Sequence, residues 1–277
     1  MTASRKELEA AATSLLRRLP QLLPREVIAE ATQGWDADQL LEMLAKAHVY
    51  EFPKADNTVD AVVFGLDPKD ADLRVLLIRR GREGEAYYGT WALPGGYISL
   101  NEDLECTWAR ELREETQIGV SYVEQLYTFG NPSRDPRGRV ITTAYLSLVR
   151  PASMTPKAGD DAAAYQWAPV RHLPPLAFDH RHIIEKGLQR LRSKLRWQPV
   201  GIDLLPREFT LPELQRLYET ILGHPLEKKN FRRKALQLGV LVPTKIRKGG
   251  GHRSAQLYRF DRRAYHKILR EGQDFEI

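Results

Sequence analysis

The chain has 277 residues, and its 42 lysines and arginines exceed its 36 acidic residues to give a net charge of +6. This length suggests two domains, and a hydrophobic share of 42% with a charged share of 28% excludes wholesale disorder. No apolar run is long enough for a transmembrane helix, and the charged N-terminus does not resemble a secretory signal. The single cysteine, Cys106, excludes an intramolecular disulfide and a cysteine zinc cluster. We therefore expect a cytoplasmic protein without a membrane partner.

Residues 1–55 form the first predicted unit, a helical extension. Leucines between Leu8 and Leu23 recur at near-helical spacing, and a second helix is predicted around Leu40. The segment contains no recognisable catalytic or ligand-binding motif, so we expect a role in packing or dimerisation.

Residues 56–200 form the second predicted unit, in which strand and helix patterns are mixed. The predicted strands are 59–64, 75–78, 120–129, 139–149 and 164–168, and the predicted helices are 103–116 and 180–195. This order indicates an α/β fold with a mixed sheet covered by helices. Trp197–Gly201 is the predicted hinge to the next unit.

The helix over 103–116 carries three carboxylates on one face. Glu111, Glu114 and Glu115 are spaced three and four residues apart, so they lie together and repel one another. A hard cation such as Mg²⁺ or Mn²⁺ neutralises such a cluster, because it prefers carboxylate oxygens. The alternative is an ordinary exposed helix with Glu–Arg pairs, which leaves the glycines before it unexplained.

Those glycines and one arginine complete the predicted site. Gly95 and Gly96 have no side chain, so their backbone can approach a metal or a phosphate. Arg110 can pair with Glu102 or Glu114 and so orient the acids.

The whole pattern resembles the Nudix box. That box reads Gly, five residues, Glu, seven residues, Arg-Glu, an aliphatic, any residue, Glu-Glu, any residue, Gly, an aliphatic. The resemblance covers roughly residues 56–195 and implies an α/β/α sandwich. It implies metal ligands at Glu111, Glu114, Glu115 and Gly95, and structural roles for Gly96, Glu102 and Arg110.

The ends of the box helix leave alternatives open. Asp103 can act as its N-cap, or a capping box of Ser99 with Glu102 can begin the helix earlier. Gln117 stands where the family has the glycine that helps to end the helix, and Gly119 offers an end two residues later.

The resemblance also implies hydrolysis of a nucleoside diphosphate linked to another group. Bound Mg²⁺ neutralises the diphosphate and lowers the pKa of an attacking water, and a carboxylate takes the proton. That base is one of the box glutamates or Asp161, in a loop similar to that of ADP-ribose-hydrolysing members. The alternative role of Asp161 is to form a turn.

Substrate contacts are predicted from arginines, because their planar fork matches phosphate oxygens. The candidates are Arg79, Arg80, Arg134, Arg137 and Arg139, with Tyr87, Tyr88 or Tyr127 to stack on adenine. The loop 130–138 resembles that of ADP-ribose-binding Nudix proteins. A surface or core role is an equal alternative for each side chain.

Residues 201–277 form the third predicted unit, which holds the positive charge. Residues 202–277 contain 16 lysines and arginines against 9 acids, a net of +7, whereas residues 1–201 have a net of −1. Such asymmetry favours a polyanionic partner, although a solvated basic surface accounts for the charge equally well.

The pattern in this unit predicts a winged helix-turn-helix. Helices over 209–222 and 226–238 are joined by a glycine-containing turn, and a hairpin with a cationic tip follows to residue 260. Phe231, Ala235, Leu236 and Leu238 are predicted to face inward. The predicted DNA contacts are Lys228, Lys229, Asn230, Arg232, Arg233, Lys234, Lys245, Arg247, Lys248 and Arg253.

Residues 56–277 together resemble the Nudix-related transcriptional regulators of NAD metabolism, the NrtR family. The resemblance implies that the Nudix domain senses ADP-ribose or a related nucleotide and that a homodimer binds double-stranded operator DNA. Because the box acids are intact, it also implies retained Mg²⁺-dependent hydrolysis. The alternatives are a metabolic ADP-ribose pyrophosphatase with an accessory C-terminal domain and, more weakly, an RNA-directed protein.

Overall fold

The computed structural model describes residues 54–67, 72–81, 83–150, 162–249 and 254–271. Apart from its last two positions, the predicted extension over 1–55 lies outside the described residues, as do Asp161 and Arg253. Within the described ranges, no helix has both the length and the apolar character needed to cross a membrane.

A mixed sheet forms the first part of the described structure. Its strands are β1 (Asp56–Leu66), β2 (Leu73–Arg80), β3 (Trp91–Ala92), β4 (Gly95–Tyr97), β5 (Tyr122–Phe129), β6 (Val140–Val149) and β7 (Ala162–Pro169). Strand β1 is central: it runs parallel to β6 and antiparallel to β2 and β4. Strand β7 pairs with β2, and β5 pairs with β6, both antiparallel. The predicted mixed sheet is confirmed.

Helices cover both faces of this sheet, because successive residues of a strand point to opposite faces. One face of β1 carries Val63, which belongs to the same apolar cluster as Trp108 and Leu112. The other face carries Phe64, which clusters with Ile184. The covering helices are α1 (Leu104–Thr116) and α2 (His180–Leu195).

The ends of α1 settle both alternatives. The Asp103 carboxylate accepts a hydrogen bond from the Cys106 N–H, so the helix begins at Asp103. Gln117 has a φ of 53° and donates its N–H to the Arg113 carbonyl, so the chain leaves the helix at Gln117. The alternative end at Gly119 was wrong, because glutamine itself adopts the left-handed conformation.

A winged helix-turn-helix forms the C-terminal part and confirms the prediction. A three-stranded sheet, in the order β8, β10, β9, packs beside two helices. Its elements are β8 (Phe209–Thr210), α3 (Leu211–Leu222), α4 (Lys228–Gln237), β9 (Leu241–Lys248), β10 (Ala255–Phe260) and a final helix that we did not predict, α5 (Arg262–Arg270). The Thr210 side chain and Glu213 form a capping box at the start of α3.

Residues 199–201 of the segment predicted as a hinge are packed into the core, whereas Trp197 at its start is 63% exposed. Pro199–Leu204 form a short 3₁₀ helix in which every residue is buried. A Cβ added to Gly201 would come within 2.7 Å of the Leu195 side chain and 3.1 Å of the Leu217 side chain, so both helices close on this segment. The hinge prediction was wrong because its proline and glycine serve a buried turn.

Ion pairs reinforce this junction. The buried carboxylate of Asp203 accepts hydrogen bonds from Arg150 at 2.9 Å and from Arg262 at 2.6 Å. The Ser121 hydroxyl donates to the Asp203 carbonyl at 3.1 Å. Arg150, which directly follows β6, and Arg262, the first residue of α5, are thereby bound to one carboxylate, although they belong to different domains.

The left-handed conformation of Gln117 generates a stability prediction. We expect Gln117→Gly to raise the free energy of unfolding by about 1 kcal/mol, because glycine adopts positive φ without the side-chain penalty. Chemical denaturation measures the change. Gln117→Ala, which keeps the penalty, is the control and should give no gain; equal stabilisation by both substitutions would contradict the argument.

Candidate functional site

A cavity of about 490 Å³ opens beside β1, between α1 and the start of α2. Glu111 and Glu115 form an acidic part of its wall, and Arg80, Arg134 and Arg137 form a basic part. The volume suits a small organic ligand. The acidic part suits a bound cation, and the basic part suits the phosphate groups of a ligand.

Arg110 organises the acidic wall. Its guanidinium donates hydrogen bonds to Glu102 at 3.0 Å, to Glu111 at 2.8 Å and to Glu114 at 3.2 Å. It also reaches the Tyr97 carbonyl at 3.4 Å. The sequence predicted a pair with Glu102 or Glu114; the structure contains both, and Glu111 in addition, so one cation offsets the mutual repulsion of three carboxylates.

Glycine is required at positions 95 and 96 because other atoms of the protein lie too close to the backbone there for a Cβ atom. A Cβ on Gly95 would collide with the Val59 carbonyl oxygen, and one on Gly96 would collide with the Glu111 carboxylate. The Gly95 N–H donates to the Glu115 carboxylate at 2.9 Å. Backbone and acids therefore meet at the cavity wall, and the predicted approach of this backbone to a metal or a phosphate stays a prediction.

Glu111 has the electrostatics of a cation site. Burial raises the pKa of its carboxyl, and the charges of Glu114 and Glu102 raise it further, against the opposing effect of Arg110. A carboxylate held in this way is stabilised by an added positive charge.

The donor set fits a hard divalent cation. Across the described residues, no three acidic, histidine or cysteine side chains form a ready-made metal cage. Mg²⁺ needs none, because it usually takes one or two carboxylates and completes its shell with water and phosphate oxygens. Glu111 and Glu115 lie on the cavity beside Gly95, whereas the Glu114 side chain is 56% exposed and turns towards Arg110.

A buried polar network forms the floor of the cavity. Arg134 donates two hydrogen bonds to Asp179, at 3.1 and 2.8 Å, and lies 3.5 Å from the Asp60 carboxylate. Thr142 donates to Asp60 at 2.7 Å. Sequence reasoning placed Arg134 here but missed Asp60, whose signal was an acid inside the apolar run 59–64.

His180 completes the network as a neutral imidazole. Its Nδ1 accepts the Leu93 N–H at 2.8 Å, so its Nε2 carries the proton and faces Asp60 at 3.5 Å. Burial lowers the pKa of His180, only partly offset by Asp60. The first residue of α2 thus forms part of the cavity wall, a role that sequence reasoning missed.

Aromatic and cationic side chains meet around Phe178. The Arg80 and Arg137 guanidinium carbons lie 5.1 and 5.2 Å from its ring centroid. The Tyr87 ring meets it edge to face at 4.8 Å. Phe178 and Tyr87 both have positive φ, 52° and 63°, which is unusual for bulky residues and typical of functional sites.

Other predicted substrate contacts do not line this cavity. Arg79 donates instead to the Gly89 carbonyl at 3.0 Å, and Arg139 donates to the Gly130 carbonyl at 2.6 Å. The Tyr88 and Tyr127 rings are exposed, and Lys186 lies over Tyr127 at 5.5 Å.

A second candidate site is the basic surface of α4 and the wing. Lys228, Lys229, Asn230, Arg232 and Arg233 are exposed on α4, and Lys245, Arg247 and Lys248 are exposed on β9. Lys234 is half-buried. Two wing cations have partners in the protein: Lys248 pairs with Glu213 at 2.6 Å, and Arg247 donates to Ser254 at 3.0 Å.

One inward-facing prediction for α4 was wrong. Phe231 and Ala235 are buried as predicted, and Leu238 is half-buried, but the Leu236 side chain is 44% exposed. The stripe of the helix that faces α3 is narrow, and Leu236 lies outside it.

Helix α2 connects the two candidate sites. Its first residue, His180, lies on the cavity, and its last, Leu195, is buried in the junction. Near that end, Arg192 donates to the Ile221 carbonyl of α3 at 2.7 Å. Sixteen residues of α-helix span about 24 Å, so one rigid element reaches from the cavity to the winged helix.

The raised pKa of Glu111 generates a prediction about Mg²⁺. We expect Glu111→Gln to leave the metal-free protein at least as stable at neutral pH, because a pKa raised by folding means that ionisation costs stability there. The same substitution should remove most of the rise in Tm that Mg²⁺ gives to the unsubstituted protein. Thermal unfolding with and without Mg²⁺ measures both effects. The exposed α1 residue Glu105, replaced by Gln, is the control; an equal Mg²⁺ response in the Glu111 variant would remove Glu111 from the metal site.

Two family models match the chain. The model described as the NUDIX domain matches residues 25–187, and the model described as the NrtR DNA-binding winged helix domain matches residues 201–260. The NUDIX match begins within the segment 1–55 that the sequence suggested as a separate extension. Proteins of the Nudix family generally use a divalent metal, in agreement with the acidic wall.

Individual relatives are similar to most of the chain or to about half of it. The ADPR responsive transcriptional repressor NtrR of Acinetobacter baylyi is 38% identical over 221 residues, which cover 78% of this chain and 86% of the relative. The ADP-ribose pyrophosphatase of Methanocaldococcus jannaschii is 34% identical over 51% of this chain and 77% of its own. The crystal structure of Shewanella oneidensis NrtR complexed with a 27mer DNA gives a TM-score of 0.63 at 37% identity, covering 76% of this chain and 95% of that one. The chain therefore belongs to the NrtR family of transcriptional regulators, in which a Nudix domain is joined to a winged helix.

Proposed function

We propose that the protein is a transcriptional repressor of NAD metabolism that responds to ADP-ribose. The observation that carries this proposal is the cavity with an acidic and a basic wall, joined through a buried junction to a basic winged helix. The relative from Acinetobacter baylyi carries this function in its name. A homodimer acts on operator DNA in the cytoplasm, since most winged-helix regulators read two half-sites.

In the proposed complex, the basic wall holds the diphosphate. Arg80 and Arg137 both lie within 5.2 Å of the Phe178 ring centroid, and their guanidinium groups, which pair with Glu85 and Asp135, can also bind phosphate oxygens. Arg134 is oriented by Asp179 and Asp60 at the floor, where these two carboxylates balance its charge. The rings of Phe178 and Tyr87 offer the apolar surface that a base or a ribose needs.

The acidic wall holds Mg²⁺ or Mn²⁺ against the same diphosphate. Glu111 and Glu115, beside the Gly95 backbone, are the proposed ligands, and Arg110 and Glu102 orient them. Glu114 is the proposed third acid. When bound, the cation neutralises the diphosphate and lowers the pKa of an attacking water.

Hydrolysis of the ligand is a second proposed activity. All the acids of the box are present, and the relative named ADP-ribose pyrophosphatase aligns with half of this chain. The proposed general base is a box glutamate or Asp161. A purely metabolic hydrolase with an accessory C-terminal domain remains the alternative function, and DNA binding discriminates between the two.

Helix α2 supports a route from ligand to DNA. Its N-terminal residues, Asp179 and His180, contact the cavity network, and Arg192 holds α3. A ligand that engages Arg134 would shift the partners of Asp179, and a rigid helix would carry that shift to the winged helix.

DNA binding is tested by gel shift with promoter DNA from the genomic region that surrounds the gene for this protein. We expect a sequence-specific shift that ADP-ribose reverses and NAD does not. Arg232→Ala/Arg233→Ala should weaken binding by about tenfold or more per residue, because each removes a contact to phosphate or a base edge. The exposed Nudix-domain arginine Arg171, replaced by Ala, is the control. The absence of any specific shift would favour the metabolic hydrolase.

Hydrolysis is tested by the release of AMP from ADP-ribose in the presence of Mg²⁺. We expect Glu114→Gln/Glu115→Gln to slow this release by roughly 100-fold, because metal ligands and their partners act together. Glu105→Gln should retain the rate, and both variants should still shift DNA without ligand. Release at the original rate from the double variant would refute the assigned acids.

A further inference from the structure

The outward face of α4 combines three cations with one leucine. Lys229, Arg232, Arg233 and Leu236 are spaced i, i+3, i+4 and i+7, which places them on a single face. All four are exposed, and Leu236 retains 44% of its accessible surface. The leucine is thus flanked by arginines within a charged surface.

Packing of α4 does not account for this leucine. Phe231 and Ala235 carry the contact with α3, where the Phe231 ring meets the Tyr218 ring at 5.4 Å. The apolar cluster of the described residues includes both but not Leu236. The side chain of Leu236 is therefore accessible to a molecule that approaches this face of α4.

The positive charge around Leu236 favours DNA over an apolar protein surface as the molecule that covers this side chain. An apolar protein pocket would have to desolvate the neighbouring guanidinium groups, at a large cost. Duplex DNA supplies phosphates for the cations and one apolar group in the major groove, the C5 methyl of thymine. Arg233 is held by the Asn230 side chain at 2.7 Å, which steadies the guanidinium on one side of the leucine.

We propose that Leu236 is a specificity-determining residue that recognises a thymine by contact with its C5 methyl group. The inference rests on the proposed function, in which α4 lies in the major groove of operator DNA. Arg232 and Arg233 bind phosphates or guanine edges on either side, and the leucine reads the base between them.

The test removes the methyl group from the DNA and the side chain from the protein. A duplex selected by the full-length protein from a random pool is resynthesised with deoxyuridine in place of each thymidine in turn. At one thymine per half-site, we expect deoxyuridine to weaken binding about fourfold, the value of one buried methyl group. With Leu236→Ala, the same replacement should change binding by less than about 1.5-fold, since the methyl group no longer has a partner.

The controls separate this inference from the proposed function. Leu100→Ala, at an exposed leucine of the Nudix domain, should keep the full response to deoxyuridine. If no position loses its deoxyuridine effect in Leu236→Ala while the protein still binds the selected duplex, the methyl contact is overturned and DNA binding stands. If Leu236→Ala changes only the oligomeric mass, the leucine belongs to a protein contact and the inference also fails. If selection enriches no duplex, the proposed function itself fails.

Discussion

The carboxylates of the Nudix box repel one another, and the side chain of Arg110 offsets that repulsion beside one wall of the cavity. Its guanidinium contacts Glu102, Glu111 and Glu114, and the glycine pair brings the backbone onto the same wall. The compensation is incomplete, because the pKa of Glu111 stays raised. The Nudix domain therefore holds Glu111 in a state that an added cation stabilises, and phosphate is the anion that we propose for the neighbouring arginines.

The buried junction gives this electrostatic site a mechanical connection. Pro199–Leu204 are buried, and Asp203 forms ion pairs with residues of both domains. The winged helix is therefore connected to the Nudix domain by a packed segment and not by an exposed linker. Helix α2 spans the Nudix domain from the polar network at His180 to the contact between Arg192 and α3. We propose that this continuous element carries the response from the ligand to the winged helix.

Local spacing predicted much of this molecule, since helical neighbours lie three and four residues apart whatever the fold. The box acids, the glycine pair and the order of helix, turn, helix and wing were all predictable on that basis. The same reasoning failed where burial decides. Leu236 is apolar, as core residues usually are, but only Phe231 and Ala235 of α4 are buried in the contact with α3. The predicted hinge failed likewise, because its glycine fits between two packed helices.

The sequence by itself determined the family, the acids of the Nudix box and the division of charge, because each depends on residues close together in the chain. Only the tertiary structure decided the rest of the cavity. Asp60, Arg134 and the pair of Phe178 and His180 come from three separate segments and meet because β1 pairs with β6 and α2 begins at the same edge of the sheet. A motif specifies what its own helix presents, but contacts between distant segments are specified by packing, and that information is spread over the whole chain.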